Sequence, residues 1–185
     1  MCNSLSGAYQ LRARVGRGAQ GRRIRSSQSE AINLSEQPEQ QHDIEELKSK
    51  FLNREFEERK FDIIADETVE YAITCGETGG RFIDPEHPDF QAPATYPSRL
   101  AGRATPEDFP DLGGMGMDAG KGVEPLAPIR PGQTLTGKSH LHDIYTKTGR
   151  SGRMIFLVTR MELFDESGTH VANSDTRTVI REKIK

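Results

Sequence analysis

The chain has no tryptophan, only two cysteines and no long apolar run. Cys2 and Cys75 cannot build a disulfide framework, so the expected compartment is a reducing one, the cytoplasm. The longest wholly apolar run is Met154–Val158, against the ~20 residues of a membrane-spanning helix. No membrane partner is expected. A net charge excess is missing as well: 25 Lys and Arg face 28 Asp and Glu, leaving −3. No overall basic field attracts nucleic acid, so none is expected as a partner. With 34% hydrophobic residues over 185 positions, the chain is neither collagen-like nor wholly disordered, and its length fits one domain with a tail.

The near-balance of charge conceals an asymmetry. Residues 1–40 hold Arg12, Arg14, Arg17, Arg22, Arg23 and Arg25 against Glu30, Glu36 and Glu39. This stretch carries +3, and the remaining residues carry −6. It is rich in Gly, Ser and Gln and has no apolar period, so it reads as a disordered basic extension. The alternatives for it are a mitochondrial transit peptide, which would place the protein in the matrix, and a nucleic-acid arm.

Order is expected over residues 41–185. Asp43 followed by Glu46 predicts a capped helix start, and Ile44, Leu47 and Phe51 share one face of it. Glu55–Ile64 reads as a strand. Asp66 is expected to cap a second helix that presents Val69, Ala72 and Ile73 on one face and stops at Gly76. Residues 77–132 hold nine of the ten prolines and read as a long functional loop with at least one short helix near Pro97–Gly102. Gln133–Tyr145, Met154–Phe164 and Thr169–Arg181 then form an antiparallel meander joined by Gly-containing turns. The middle strand is apolar on both faces: Ile155, Leu157, Met161 and Leu163 on one, Phe156, Val158 and Phe164 on the other. Such a strand needs cover on both sides, which predicts a partner chain or ligand on the second.

Several familiar chemistries do not fit. Gly113–Gly122 lacks the spacing of a Walker phosphate loop and follows no strand, so it reads as a flexible loop. His140 and His142 share a strand face but lack further ligands for zinc, so they read as residues of a solvated edge strand, and no metal is expected. Gly149–Arg153 misses the spacing of a nucleophile elbow. Cys75 sits at a helix C-terminus, where the dipole disfavours a thiolate.

Four segments carry a resemblance. Tyr71–Asp84 is similar to the segment after the first helix of MaoC-like dehydratases. Pro85–Tyr96 resembles their Ala-Pro-rich loop, Pro128–Thr136 their entry to a strand, and Tyr145–Gly152 the hairpin of the FAS1-like, or MaoC N-terminal, subgroup. The resemblance spans about residues 43–182. It implies an α+β hot-dog fold, a curved antiparallel sheet wrapped around a helix. It also implies dimers or double hot dogs, with an acyl-CoA or acyl-carrier-protein thioester between the halves. The implied activity is reversible hydration of a trans-2-enoyl thioester, usually (R)-specific and without a cofactor. Active members pair an Asp with a His five residues later, which activate water while backbone N–H groups polarise the carbonyl.

Laid on that pattern, Gly76 matches the Gly and Glu77 stands at the Asp position. Gly79 and Gly80 replace Asn-Pro, Phe82 stands at the His position and Asp84 matches the trailing Asp. Phenylalanine has no proton to exchange. The chain therefore resembles the non-catalytic, acyl-binding half of a heteromeric hydratase whose partner is a catalytic MaoC-type hot dog. Glu77 remains a weak catalytic candidate, and Phe82, Asp84, Pro93 and Thr95 are candidate substrate contacts. Lys147 and Arg150, with Arg81, Arg99 and Arg103, are candidate cations for phosphates of the carrier. The alternatives are a homodimeric hydro-lyase using Glu77 with a group such as His87, or a non-enzymatic acyl-CoA-binding or thioesterase hot dog.

Overall fold

The computed structural model describes residues 42–150 and 152–181. The basic extension over 1–40 lies outside them. Four helical segments are described: α1 (Ile44–Phe51), α2 (Ala65–Thr74), α3 (Gly80–Ile83) and a 3₁₀ turn (Tyr96–Arg99). The strands are β1 (Glu55–Asp62), β2 (Gly116–Pro125), β3 (Thr134–Gly149), β4 (Gly152–Phe164) and β5 (His170–Arg181). They form one antiparallel sheet in the order β1-β3-β4-β5-β2. This is the curved sheet of an α+β hot-dog fold.

The local signals at α1 act as expected. The Asp43 carboxylate accepts the N–H groups of Glu45 and Glu46, at 3.0 and 3.3 Å, satisfying donors that the first turn leaves free. α2 departs from expectation. Its N-cap is Ile64 with no side-chain cap, and Asp66 falls inside the first turn. There the carboxylate still complements the positive end of the helix dipole. The buried face is Thr68 and Ala72, whereas Ile73 is 62% exposed. α2 ends at Gly76, whose N–H bonds the Ile73 carbonyl while that of Glu77 bonds Ala72. This pair of bonds is a Schellman closure.

β2 corrects the expectation of a flexible Gly113–Gly122 loop: residues 116–125 are the edge strand beside β5. Gly120, at φ +105°, sits where the register shifts between Asp118 and Lys121. A positive φ at such a bulge favours glycine. β3 is interior, between β1 and β4, so His140 and His142 are not on an edge. A bulge between Leu141 and Asp143 resets the alternation, so that Leu141 and Ile144 are both fully buried in the same cluster.

One face of the sheet is covered in two parts. Leu47 and Phe51 of α1, with Leu112, pack on Leu141, Ile144, Ile155 and Leu157. Tyr96, Ala92 and Ile129 pack on Leu135, Met161, Leu163 and Ala172. α2 reaches this second cluster through Tyr71, whose ring meets Tyr96 edge-on at 5.4 Å. The opposite face of β4 does not present the bare apolar surface expected of it. Val158 is 6% exposed within the single chain. Phe156 stacks on Tyr145 at 4.9 Å and Phe164 on His170 at 4.8 Å. Between them the Arg160 guanidinium grips the Asp175 carboxylate through two bonds, at 2.8 and 3.0 Å. Cross-strand neighbours supply cover that a reading of β4 alone assigns to a partner.

Candidate functional site

A cavity of about 290 Å³ opens beside the second core cluster. One wall is Arg81 and Phe82 of α3, a second is the segment 91–94 with Pro97, and a third is Pro125–Ile129. Backbone bonds lock these walls together. The Gln91 N–H donates to the Arg81 carbonyl at 2.9 Å, and that of Ala92 donates to Ile129 at 2.8 Å. Leu126 and Ala127 both donate to the Val171 carbonyl of β5, at 2.9 and 3.0 Å. Pro93, Pro97, Pro125 and Pro128 stiffen the walls, because each has a fixed φ and no N–H to leave unpaired.

The lining decides what the cavity can do. It is mostly apolar, with Arg81 and the Gln91 amide as its polar side chains. Among the described residues no His, Asp, Glu or Cys lines it. The site can hold an apolar chain that carries a polar end, but its lining offers no side chain suited to moving a proton at neutral pH. The Phe82 ring is half-buried, and the Arg81 guanidinium lies over it at 4.6 Å, a cation–aromatic contact.

Of the residues singled out from sequence, the fold brings Arg81, Phe82 and Pro93 together in this cavity. Glu77, half-buried just past α2, is not in the lining. Asp84 is the C-cap of α3, and its carboxylate accepts the Glu86 N–H at 3.0 Å. Thr95 accepts the Tyr71 hydroxyl on both its carbonyl and its own hydroxyl, at 3.0 and 3.1 Å, which fixes α2 against the cavity wall. His87 Nδ1 accepts the Asp89 N–H at 3.0 Å, which ties the ring to its own loop and outside the cavity lining.

Lys147 and Arg150 lie near the far end of β3, about 40 Å along the strand from Leu135. Lys147 sits over the Tyr145 and Phe156 rings, at 5.6 and 5.4 Å. Neither cation lines the cavity.

Leu126 and Ala127 were marked in the sequence only by the prolines on either side of them, whereas Gln91 and Ile129 fall within two of the segments of family resemblance without having been singled out as site residues. A wider groove of about 620 Å³ lies along β1, β3 and the β4–β5 turn, lined by Lys60, Lys138, Thr136 and Phe164 among others. It is larger but touches none of the candidate residues, so the proline-walled cavity is the better site. Among the described residues no group of three or more His, Cys, Asp or Glu side chains is placed to hold a metal. His140 and His142 meet edge-on at 5.7 Å.

The family model for the FAS1-like, dehydratase domain region matches residues 50–174. Among solved structures, the chain is similar to the C-terminally truncated HadBC (3R-hydroxyacyl-ACP dehydratase) complex from Mycobacterium tuberculosis. That likeness has 20% identity and a TM-score of 0.53, covering 65% of this chain and 90% of that one. A MaoC-like dehydratase from Phytophthora capsici has 25% identity and a TM-score of 0.54 over 74% of this chain. The matched region is half of that protein's length. The ChsH1–ChsH2 complex from Mycobacterium tuberculosis has 14% identity and a TM-score of 0.53, covering 70% of this chain and 85% of that one. The two Mycobacterium likenesses speak to the fold alone. No curated protein matches the sequence.

Proposed function

The chain belongs to the family of FAS1-like, MaoC-like dehydratase domains, and within it we propose the role of an acyl-thioester-binding subunit that does not itself carry out the proton transfers. Its assembly is a heteromeric (R)-specific enoyl-CoA hydratase, or 3-hydroxyacyl-thioester dehydratase, in which a second hot-dog chain supplies the acid–base pair.

The observation that carries this reading is the cavity lining. At the position where active relatives hold their His, this chain places Phe82, and the one ionisable side chain in the described cavity lining is Arg81, whose guanidinium stays protonated and cannot serve as a base. Aromatic surface binds an acyl chain, and it cannot hold or pass a proton. Glu77, at the Asp position, stands outside the lining. HadBC and ChsH1–ChsH2 are complexes by their own descriptions, which makes a two-chain arrangement reasonable for this fold. Within this chain the surface suited to a partner sheet is β2. It is an edge strand, with Met115 79% and Met117 40% exposed at its start, and an open edge can accept another strand.

The test is co-expression with a hot-dog chain that carries an intact Asp/His pair, followed by hydration of crotonyl-CoA. The expected result is a defined heteromer whose turnover exceeds that of either chain alone. Turnover by this chain alone equal to that of the mixture would refute the reading.

A further inference from the structure

We propose that the segment 100–105 is a strap that shuts the proline-walled cavity off from the rest of the sheet's covered face, and that lifting it admits acyl chains too long for the closed cavity. The inference rests on the acyl-thioester reading above and adds how chain length is selected.

A polar seam divides the covered face. On β4, Thr159 falls between Leu157 of the first core cluster and Met161 of the second. On β3, Ser139 falls between Leu141 of the first and Leu135 of the second. Alternation along each strand puts these residues on the same face. Ser139 is 1% exposed, and its hydroxyl has no hydrogen-bond partner among the described residues. A buried hydroxyl left unpaired is costly.

The strap crosses this seam on polar ties. Arg59 of β1 donates to the Ala101 carbonyl at 2.9 Å, and the Arg103 N–H donates to the Glu57 carboxylate at 2.7 Å. The Thr159 hydroxyl donates to the Ala104 carbonyl. Both ends are anchored. Pro106 is buried at one end. At the other, Pro97 lines the cavity, and its carbonyl accepts the Ser174 hydroxyl at 3.0 Å. Between the anchors, Ala101, Gly102, Arg103 and Ala104 are all exposed. A segment that buries little and is held by exposed hydrogen bonds opens at a lower free energy than the core beneath it.

The closed fit is tight. A Cβ at Gly102 would collide with the Glu57 carboxylate and stand 2.8 Å from Met161 Cε. The strap therefore lies directly on Met161, a member of the cluster beside the cavity. The closed cavity of about 290 Å³ holds on the order of ten methylenes at ~30 Å³ each, comparable to the share of a water. An octanoyl chain fits and a tetradecanoyl chain does not. Lifting the strap uncovers Met161 and the seam, which extends the channel towards Leu157. The Ser139 hydroxyl then meets water, which offsets part of the lost ties.

Two variants bias the strap open by different means. Gly102→Ala leaves no room for the closed position; Thr159→Val removes one tie and keeps the side-chain shape. Calorimetric titration of the full chain with octanoyl-CoA and tetradecanoyl-CoA reads the effect. Each variant should bind tetradecanoyl-CoA about ten-fold tighter than wild type, because a larger fraction of the protein is competent to bind it. Affinity for octanoyl-CoA should not change. In the wild type, tetradecanoyl-CoA but not octanoyl-CoA should speed hydrogen exchange at the Arg103 amide, read by NMR. That arm needs no substitution, so it decides the matter if a variant does not fold. Equal tetradecanoyl-CoA affinity in all three proteins, or tetradecanoyl-CoA bound to wild type with Arg103 exchange unmoved, would overturn the strap and leave the acyl reading standing. No binding of either thioester by any of the three proteins would overturn both.

Discussion

Replacing Ala94 by leucine should separate acyl binding from stability. Ala94 lines the cavity and lies on an exposed stretch of loop. Leucine adds three carbons, each comparable to the ~30 Å³ share of a water, so about 90 Å³ of side chain enters. That is roughly a third of the 290 Å³ present. A ligand chain displaced by three methylenes loses about 2.5 kcal/mol of burial, or roughly 60-fold in affinity. An exposed loop substitution of this kind should shift stability by no more than about 0.5 kcal/mol. Titration with octanoyl- and crotonyl-CoA, alongside urea unfolding, checks both quantities. The octanoyl thioester should weaken by the larger factor. Unchanged octanoyl affinity in a folded variant would mean that the acyl chain lies elsewhere.

Further outcomes follow from other residues. Glu77→Gln should leave turnover of the assembled heteromer within a few-fold, because the carboxylate does not line the cavity; a loss above about 100-fold with the fold intact would make Glu77 a proton-transfer group. Gly137→Ala should destabilise by about 1–3 kcal/mol, since its Cβ would stand 2.8 Å from Met161 Sδ and 2.9 Å from Phe61 Cε2; an unchanged urea midpoint would refute that packing. The pH dependence of stability should include His140, whose pKa is lowered chiefly by burial, with like charge from His142 and Arg160 adding and Glu162 opposing. The unfolded chain binds this proton first, near pH 6.5, so the contribution is full above that value and declines as pH falls through it towards the lower folded value. His140→Gln should flatten this part of the profile, read as melting temperatures between about pH 8 and about pH 5.5; an identical slope in both proteins would refute the assignment.

Features carried by near neighbours in the chain were legible without a fold. Asp43 caps α1 because its carboxylate needs only the amides two and three residues on. The β3–β4–β5 meander follows from three runs of β-forming residues joined by short Gly-containing turns, and Gly76 ends α2 where it should. The replacement of a His by Phe82 is likewise a fact of sequence. The tertiary structure decided whatever depended on distant partners. β2 reads as a loop because Gly116, Gly120, Gly122 and Asp118 have poor strand propensity, and it is a strand because β5 supplies its hydrogen-bond partners. The second face of β4 is closed by Tyr145, Asp175 and His170, which the strand's own pattern cannot include. The cavity joins α3 to segments near residues 92 and 127. Contacts between segments so far apart in sequence depend on the global path of the chain, and the local propensities of the residues that meet do not encode it.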